Sequence, residues 1–348
     1  MNVLVVNAGS STLKYQVIDT KSHKVSAKGS CERVCFTGGT FTHAANGSKK
    51  VTENIEFPDH KVAIEVVLKD LEANGVKIEG IGHRIVQGGW YFGDSSLVDE
   101  DVLAKIREVA PLAPLHNNPE ANVIEYCLEQ YPDLPNVTVY DTAFHFNMPE
   151  VAKTYALPKD VCDKLHIRKY GAHGTSYRYI SKKVAEMTNG EARKVVVCHI
   201  GSGASLCAIE DGKCMDTTMG LTPLDGVMMG TRCGSIDPAT VCYLQREGGY
   251  TFDEVDEMMN KKSGLLAVTG GKTNDCRNRR PRGSARLRHV CLQDCRQGCR
   301  DGYFYVRYGH PGLYCRHRRA RSGGPRRRCR PPGLYGRQDG SCPQRPAW

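Results

Sequence analysis

A unit of two strands joined by a short Gly/Ser turn occurs twice in this sequence, and it limits the possible folds more than any other feature. The first copy is VLVVNAGSSTLKYQVID, from Val3 to Asp19. The second is VVCHIGSGASLCAIED, from Val196 to Asp211, about 190 residues later. Each copy reads strand, turn, strand and acidic end. Two copies at this separation predict an α/β protein with two domains on one plan, not a solenoid.

The two turns are candidate phosphate sites. The first is NAGSST at residues 7–12, and the second is GSGAS at residues 201–205. A turn of small residues between strands can direct several backbone N–H groups toward one anion. A plain β-hairpin is the alternative for either turn alone, but two copies facing each other across a cleft favour phosphate. Neither turn contains GxxxxGK[ST], and neither precedes a helix, which points away from P-loop and Rossmann proteins.

Apolar periodicity predicts further elements. Helical spacing indicates helices from Ile64 to Asn74, from Val102 to Val109 and from Ser176 to Thr188. The β-branched run from Val137 to Tyr140 predicts a short strand that delivers Asp141 to the following loop.

The composition changes abruptly at Asn278. Residues 278–348, here called the tail, contain 18 Arg, six Cys, ten Gly and seven Pro, but no Lys or Glu. The tail therefore carries a formal net charge of +15, whereas residues 1–277 carry −5. Too few apolar side chains remain in the tail to offset the loss of chain entropy on folding. We expect residues 278–348 to be disordered.

Three interpretations of the tail remain open. Its charge fits a nucleic-acid-binding arm, although such arms usually mix Lys with Arg. Cys291, Cys295 and Cys299 suggest metal binding, but their spacing differs from that of known zinc sites. Out-of-frame translation of a GC-rich gene produces an excess of Arg, Gly, Pro and Cys, and the composition favours this interpretation.

The remaining composition indicates an ordinary cytoplasmic chain. Apolar runs such as Val195–Val197 are far shorter than the roughly 20 residues of a membrane span. Met1 is followed almost at once by the apolar run Val3–Val6, without a basic leader, so we expect neither a membrane anchor nor a signal peptide. The cysteines of residues 1–277 are then expected to be free thiols in a reducing compartment, with Cys31 and Cys35 both buried.

Four polar residues stand in loop-like segments where they are suited to bind anions. Arg84 lies in GHRIVQGG, Asp141 in DTAFH, His173 in YGAHGTS and Arg232 in GTRCGSIDP. Each residue alone is weak evidence for an anion site, because a single Arg or His is usually structural or solvated. Two Arg, one His, one carboxylate and two phosphate-type turns together favour phosphoryl transfer, in which positioning and electrostatics supply most of the catalysis.

With these residues the sequence closely resembles the acetokinase family of the acetate and sugar kinase, Hsc70 and actin superfamily. The shared motifs are NAGSSTLKYQVID, GHRIVQGG, DTAFHFNMP, YGAHGTS, HIGSGASLCAI, MGLTPLDGVMMGTRCGSIDP and TNDCR. The resemblance extends from Met1 to Arg277 and stops where the composition changes. Roughly the last third of the family pattern, including its GIGEN-like loop and its late Mg²⁺-binding Glu, has no counterpart.

The resemblance implies a role for each matching residue. Asp141 matches an essential aspartate usually described as a proton donor or acceptor, and His173 and Arg232 match stabilisers of the transition state. Arg84 would bind the substrate carboxylate or phosphoryl group, and Asn7 would help to hold Mg²⁺. The nucleotide-binding positions are Lys14, His199, Ile200, Gly201, Ser202, Gly203, Asp275, Cys276 and Arg277. A pocket for the acetate methyl group would be lined by Val86, Leu115 and Pro223.

The implied fold is α/β, with two actin-like (ribonuclease H-like) domains around a cleft. Residues 1–150 would form the first domain and residues 151–277 an incomplete second domain on the nucleotide side, followed by the tail. The implied reaction is reversible transfer of the γ-phosphoryl group of ATP to acetate, giving acetyl phosphate and ADP. Mg²⁺, with Mn²⁺ as a possible substitute, would assist, and the family forms homodimers.

Physical chemistry modifies one implied role. Acetate is already ionised at pH 7 and needs no general base. We therefore doubt a proton-transfer role for Asp141 and expect it to order Mg²⁺ or an arginine. Among the departures from the family pattern, Ala172 replaces a common Phe and leaves the choice among short acids open, and Tyr177 replaces a common His.

Impaired activity is expected for this chain, because part of the adenosine site has no counterpart. A propionate or butyrate kinase is an alternative within enzymes. A kinase body that is inactive and binds nucleic acid through its Arg-rich tail is the alternative from another class.

Overall fold

A computed structural model describes residues 1–45, 47–270, 304–309 and 312–317. They form two β-sheets with helices packed against them. The first sheet contains β1 (Asn2–Ala8), β2 (Thr12–Asp19), β3 (Val25–Glu32), β4 (Gly39–Ala45), β5 (Ser48–Ile55), β6 (Gly80–Ile85), β7 (Ser96–Leu97) and β8 (Asn136–Tyr140). The second contains β9 (Lys194–Ile200), β10 (Ala204–Glu210), β11 (Lys213–Thr217), β12 (Phe304–Gly309) and β13 (Gly312–His317).

Nine α-helices lie in the described segments. They are α1 (His60–Ala73), α2 (Glu100–Glu108), α3 (Pro114–Gln130), α4 (Glu150–Lys153), α5 (Lys159–Leu165), α6 (Gly174–Met187), α7 (Ala239–Arg246), α8 (Phe252–Lys261) and α9 (Gly264–Thr269). Short 3₁₀ turns span Ala110–Leu112 and Ala143–His145.

The first sheet combines an antiparallel meander with a parallel half. Its strand order is β5-β4-β3-β2-β1-β6-β8-β7. Strands β1 to β5 pair antiparallel in sequence, while β6 runs parallel to both β1 and β8. The carboxyl ends of β1, β6 and β8 therefore lie at the same edge of the sheet. Open α/β sheets bind their ligands at such an edge.

Alternating apolar residues build the core on one face of the first sheet. Leu4 and Leu13 on neighbouring strands pack with Val67 and Leu71 of α1 and with Val123 of α3. These positions follow a period of two in the strands and of three to four in the helices, which is the pattern that buries one face of each element. Helix α1 begins at His60, four residues before the predicted Ile64, because the Asp59 side chain caps it by accepting from Val62 N–H at 2.9 Å.

The second sheet repeats the predicted unit. Strands β9 and β10 pair antiparallel around residues 201–203, just as β1 and β2 pair around residues 9–11. Helix α6 covers one face of this sheet, where Tyr177, Ile180 and Val184 pack against Val195 and Val197. The recurrence predicted from the sequence is thus confirmed, whereas the domain limits at residues 150 and 277 stay a prediction.

The expectation of a disordered tail is wrong for two segments. β12 pairs parallel with β9 from Phe304↔Val195 to Tyr308↔His199, and β13 pairs antiparallel with β12. The sequences FYVRYG and GLYCRH contain aromatic and β-branched residues that favour strands. The unpaired edge of β9 offers a row of backbone N–H and C=O groups that stabilises an added strand. The rest of the tail lies outside the described residues.

Two other sequence expectations have clear outcomes. Within the described segments no helix combines the length and the apolar character that crossing a bilayer requires. The nine cysteines within residues 1–45 and 47–270 are thiols that form no disulfide, as expected. Cys31 is buried, but Cys35 is exposed, contrary to the expectation that both are buried. Cys35 has a positive φ of 66° after the end of β3, and this loop geometry turns its side chain outward.

Pairing between β12 and β9 can be tested by hydrogen exchange. A chain that stops at residue 277 lacks β12 and leaves one edge of β9 unpaired. We expect amide exchange in β9 to accelerate by at least about tenfold relative to the full chain, because unpaired strand edges open locally. Exchange in β1, which keeps both neighbouring strands, is the internal control. Equal protection of β9 in both chains, measured by mass spectrometry of peptides, would contradict the pairing.

Candidate functional site

Arg84, Asn7 and Asp141 meet at the carboxyl edge of the first sheet. Arg84 lies near the end of β6, Asn7 near the end of β1, and Asp141 directly follows β8. Arg84 donates to Asp141 Oδ2 from Nε at 3.1 Å and from Nη2 at 2.6 Å. Its Nη1 donates to Asn7 Oδ1 at 2.8 Å. All three nitrogens of the guanidinium are therefore oriented by the ends of neighbouring strands.

The two residues of this ion pair differ in their exposure to solvent. The Asp141 side chain is 2% exposed, whereas that of Arg84 is 34% exposed. Burial lowers the pKa of Arg84, but the attraction of the Asp141 carboxylate outweighs it and leaves that pKa above the usual value. Arg84 thus stays charged and presents its open side to the cleft. Removing one partner of such a pair costs roughly 3–5 kcal/mol.

The start of α6 binds the other side of Asp141. Thr175 Oγ1 donates to Asp141 Oδ1 at 3.0 Å, and Gly174 N–H donates to the Asp141 carbonyl at 2.8 Å. A Cβ at residue 174 would lie 2.3 Å from that carbonyl oxygen, which explains the glycine. Because α6 packs on the second sheet, Asp141 joins the two halves of the site.

His173 lies immediately before α6 in a left-handed conformation, with φ 60° and ψ 18°. Its Nδ1 is 2.7 Å from Ser205 Oγ, which also forms a hydrogen bond with the Tyr177 hydroxyl. Its ring stacks on His199 with centroids 4.1 Å apart, and His199 Nδ1 is 3.0 Å from Ser176 Oγ. Burial, and then the neighbouring His199, lower the pKa of His173 to about 3. His173 is therefore neutral at physiological pH.

The turn between β9 and β10 lies against His173 and Arg232. A Cβ on Gly203 would be 3.4 Å from His173 Nε2 and 3.6 Å from Arg232 Nη1, so both side chains reach the turn. Gly230 N–H donates to the Ser202 carbonyl at 3.0 Å and ties the Arg232 loop to it. This turn and the end of β9 contain five of the predicted nucleotide-binding residues: His199, Ile200, Gly201, Ser202 and Gly203.

Arg232 keeps its charge available for an anion. Its Nη1 donates to the Pro223 carbonyl at 3.3 Å and approaches Met229 Sδ at 3.7 Å. Both are neutral acceptors, and burial lowers the pKa of the guanidinium. Among the residues that the structure describes, no carboxylate forms an ion pair with it. A half-buried arginine without a negative partner is stabilised when a phosphate or carboxylate binds.

Of the three residues predicted to line a methyl pocket, Val86 and Pro223 lie beside the two arginines. Val86 follows β6, two residues after Arg84, and is 5% exposed. Leu115 lies in the first turn of α3 and is 57% exposed. Pro223 is tied to Arg232 through its carbonyl. Their contact with a methyl group stays a prediction.

Two buried residues of α3 that the sequence analysis missed fix the loop after Arg84. Asn117 donates to the Gln87 carbonyl at 2.9 Å and accepts from Gln87 N–H at 3.1 Å. Glu120 Oε2 accepts from Val86 N–H at 3.1 Å. A detectable signal existed, because Asn117, Glu120 and the apolar Ile124 follow the i, i+3, i+7 spacing of a buried helix face.

His116, also missed, is close enough to both arginines to respond to their charges. Burial, and then the charges of Arg84 and Arg232, lower its pKa. Its position beside Leu115, which the sequence analysis did identify, was the available clue.

Two other groups of predicted residues have different outcomes. Lys14 lies directly opposite Asn7 on β2 and is exposed. It is therefore on the same side of the site as Arg84, which is hydrogen-bonded to Asn7. Asp275, Cys276 and Arg277 lie outside the described residues.

Glu120 makes stability depend on pH. Burial raises the pKa of this carboxyl to about 8 from its ordinary value of 4.5. Between these values the unfolded chain releases the proton while the folded chain keeps it, so stability falls as pH rises through this window. Glu120→Gln cannot ionise, and we expect its free energy of unfolding to exceed that of wild type by a few kcal/mol at pH 8. The difference should shrink toward pH 5.

Urea unfolding at several pH values measures this effect. Glu129→Gln is the matched control, because Glu129 is exposed on the same helix. If the free energy of unfolding changes with pH in the same way for wild type and Glu120→Gln, Glu120 is ionised in the folded chain and the prediction is contradicted.

Comparison with known proteins agrees with this arrangement. The sequence matches the model of the Acetokinase family over residues 2–284. Acetate kinase 2 of Clostridium perfringens (strain 13 / Type A) is 50% identical over 279 residues, which span 78% of this chain and 70% of the relative. Acetate kinase of Mycoplasmoides gallisepticum is 47% identical over 272 residues, spanning 77% and 69%.

Solved structures give the same result. Acetate kinase of Porphyromonas gingivalis superimposes with a TM-score of 0.79 at 34% identity, covering 87% of this chain and 81% of that one. A propionate kinase from Francisella tularensis gives a TM-score of 0.74 at 41% identity, covering 78% and 70%. These similarities confirm the expected actin-like α/β fold. Because the family model matches residues 2–284, which are most of the chain, the chain belongs to the Acetokinase family.

Proposed function

We propose that this chain transfers the γ-phosphoryl group of ATP to acetate, reversibly, giving acetyl phosphate and ADP. One observation carries the proposal within the family. Arg84, oriented by Asp141, and Arg232, without a negative partner among the described residues, stand on opposite halves of one site with the neutral His173 beside them. Such a site is suited to bring two anions together, which is the main obstacle in this reaction.

Acetate binds on the side of Arg84 in this mechanism. The acid is ionised at neutral pH, so its oxygen attacks without a base. Both oxygens of Asp141 already accept hydrogen bonds, from Arg84 and from Thr175. This arrangement supports a role in orienting Arg84 over a role in proton transfer. The guanidinium then neutralises the carboxylate and the approaching phosphoryl group.

ATP binds on the side of the second turn. Gly201 N–H already donates to the Gly203 carbonyl at 3.0 Å, so the backbone N–H groups of Ser202 and Gly203 are the ones that would face its phosphates. Arg232 lies against this turn and would stabilise the charge that spreads over the equatorial phosphoryl oxygens. Positioning and electrostatics then supply the rate enhancement without a covalent intermediate on the protein.

A hydrogen-bond chain fixes the proton of His173. Burial raises the pKa of the Tyr177 hydroxyl well above its usual value, so Tyr177 keeps its proton. We infer that Tyr177 donates to Ser205 Oγ, its hydrogen-bond partner among the described residues, and that Ser205 therefore donates to His173 Nδ1. In this arrangement the proton of the neutral imidazole is on Nε2, the atom nearest Gly203. His173 would stabilise the transferring phosphoryl group as a hydrogen-bond donor.

The residues present fit a Mg²⁺ ion that arrives with ATP. Asn7 Oδ1 accepts one hydrogen bond from Arg84 and retains a second lone pair for a hard cation. Mg²⁺ usually keeps several waters and substrate phosphate oxygens as its other ligands, so one amide oxygen suffices to position it. When bound, the ion neutralises charge on the phosphates. Asn7 would hold it, and Lys14 opposite would contact the nucleotide.

Arg84→Lys tests the acetate side. Lysine keeps the charge but cannot donate to Asp141 and Asn7 at once. We expect kcat/KM for acetate to fall by about 100-fold or more, a loss near 3 kcal/mol. Arg193→Lys is the control, because the exposed Arg193–Asp211 pair lies outside the site. An unchanged rate of acetyl phosphate formation in Arg84→Lys would contradict the proposal.

Tyr177→Phe tests the hydrogen-bond chain. Without the hydroxyl, Ser205 no longer has a fixed donor and the two His173 tautomers mix. We expect kcat to fall by about tenfold with little change in KM, because the loss affects the transition state. Tyr179→Phe, on the exposed face of the same helix, should leave kcat unchanged. A larger effect on KM than on kcat would remove His173 from the catalytic step.

Propionate is the second candidate acceptor. The Francisella tularensis neighbour is named a propionate kinase, and Ala172 is smaller than the Phe expected in the family. A series of rates with acetate, propionate and butyrate decides between them. A preference for acetate supports the main proposal, and a higher kcat/KM for propionate replaces it.

Reduced activity and a homodimer remain further proposals. The Arg-rich composition begins at residue 278, within the family match. A chimera that carries the Clostridium perfringens sequence from that point should transfer phosphoryl groups faster than this chain. Sedimentation of both proteins measures their oligomeric state.

A further inference from the structure

Three buried side chains form a cluster behind the catalytic loop. His145 lies at the end of the 3₁₀ turn after Asp141, while Cys207 and Cys214 lie on β10 and β11. All three are buried, and their ligand atoms lie within 4.8 Å of one another. The phosphoryl-transfer mechanism uses none of them.

The cluster has the spacing of a tetrahedral metal site. Cys207 Sγ and Cys214 Sγ are 3.5 Å apart, and Cys214 Sγ is 3.0 Å from His145 Nδ1. Zinc–sulfur bonds of about 2.3 Å at tetrahedral angles require sulfurs about 3.8 Å apart, and a sulfur and a nitrogen about 3.6 Å apart. An ion would therefore lengthen these two separations by roughly 0.3 and 0.6 Å, and the third pair of ligand atoms already lies within 4.8 Å.

His145 is already oriented as a ligand. Its Nε2 lies 3.0 Å from the Ala172 carbonyl, which can only accept, so Nε2 carries the proton. The lone pair of Nδ1 consequently points at Cys214 Sγ, 3.0 Å away. Metal-binding histidines characteristically donate their second ring N–H to a carbonyl or carboxylate in this manner.

The donor set selects a thiophilic divalent cation. Two thiolates and a neutral imidazole around a divalent ion have no net charge, which suits a site without exposed surface. Mg²⁺ and Ca²⁺ prefer oxygen ligands and are excluded by this chemistry. Zinc accepts Cys₂His with a water as the fourth ligand. Because the cation binds thiolates, any proton still carried by the two thiols is released to solvent.

The cluster also touches the catalytic loop. Ala172, whose carbonyl holds His145, is the residue before His173. Gly171 has a φ of 73°, and a Cβ there would lie 2.7 Å from His145 Cδ2. Because this packing is tight, movement of the His145 ring on metal binding is transmitted to the loop that positions His173.

We propose that His145, Cys207 and Cys214 form a binding site for Zn²⁺ or a similar thiophilic divalent cation. Occupation of this site changes the position of the His173 side chain.

Co²⁺ titration under reducing conditions tests the site. The protein used for this test, here called the parent chain, is the full chain in which Cys276 and the six tail cysteines are replaced by Ser. These seven thiols then cannot bind the probe. We expect a thiolate-to-cobalt charge-transfer band and the intense visible bands of tetrahedral cobalt, saturating at one ion and displaced by Zn²⁺. Calorimetry in buffers of different ionisation enthalpy should show that ion binding releases thiol protons.

Single substitutions assign the ligands. Cys207→Ser and Cys214→Ser should each weaken Co²⁺ binding by at least about tenfold, whereas Cys198→Ala, a buried thiol on β9, should not. Circular dichroism checks that each variant is folded. A band that is absent in the parent chain, or unchanged in both serine variants, would overturn the proposal.

X-ray absorption of the zinc-loaded parent chain needs no ligand substitution. Two sulfurs at about 2.3 Å with one imidazole support the site, and a shell of oxygen and nitrogen alone refutes it. The effect on His173 is measured separately, as a shift of its ring resonances on adding Zn²⁺. A loaded site without such a shift would refute the coupling to the catalytic loop.

Discussion

The buried carboxylate of Asp141 is the interaction on which the rest of the site depends. One oxygen accepts two hydrogen bonds from Arg84 of the first sheet, and the other accepts one from Thr175 of α6, which covers the second sheet. The backbone of the same residue anchors the start of α6. Positioning of Arg84 and of His173 is thus coupled through one side chain. A carboxylate so fully engaged organises its neighbours and is a poor candidate for proton transfer.

Charge in the cleft follows from this arrangement. Arg84 has a buried counter-ion, whereas Arg232 faces only neutral acceptors among the described residues. His173 and His116 are kept uncharged by burial, aided by positively charged or imidazole neighbours. The cleft therefore offers directed positive charge from two rigid guanidinium groups, while its imidazoles act as hydrogen-bond donors or acceptors. Such an environment stabilises a transferring phosphoryl group more than either separated anion.

Sequence reasoning was most successful where local pattern and fold agree. The repeated strand–turn–strand unit, the strand before Asp141 and the helix after His173 follow from residue periodicity. Helix α3 was missed, because Pro114 and Pro119 obscure its start and its buried face contains the polar Asn117 and Glu120. These side chains are satisfied by the backbone of the Val86–Gln87 loop, a contact between distant segments that no local pattern encodes. Of the residues named from the family resemblance, Asn7, Arg84 and Asp141 meet through hydrogen bonds, and His173 and Arg232 both reach Gly203.

The tail shows how a sheet edge can override composition. Low apolar content predicted disorder, yet β12 pairs with β9 along five consecutive positions. In the first sheet, β6 occupies the equivalent place beside β1, also parallel. The repeated hairpin therefore presents the same open edge in both halves, and a parallel strand completes it in each. Backbone pairing requires extended chain more than any particular side chain, so a segment with aromatic and β-branched residues satisfies it even within an Arg-rich tail.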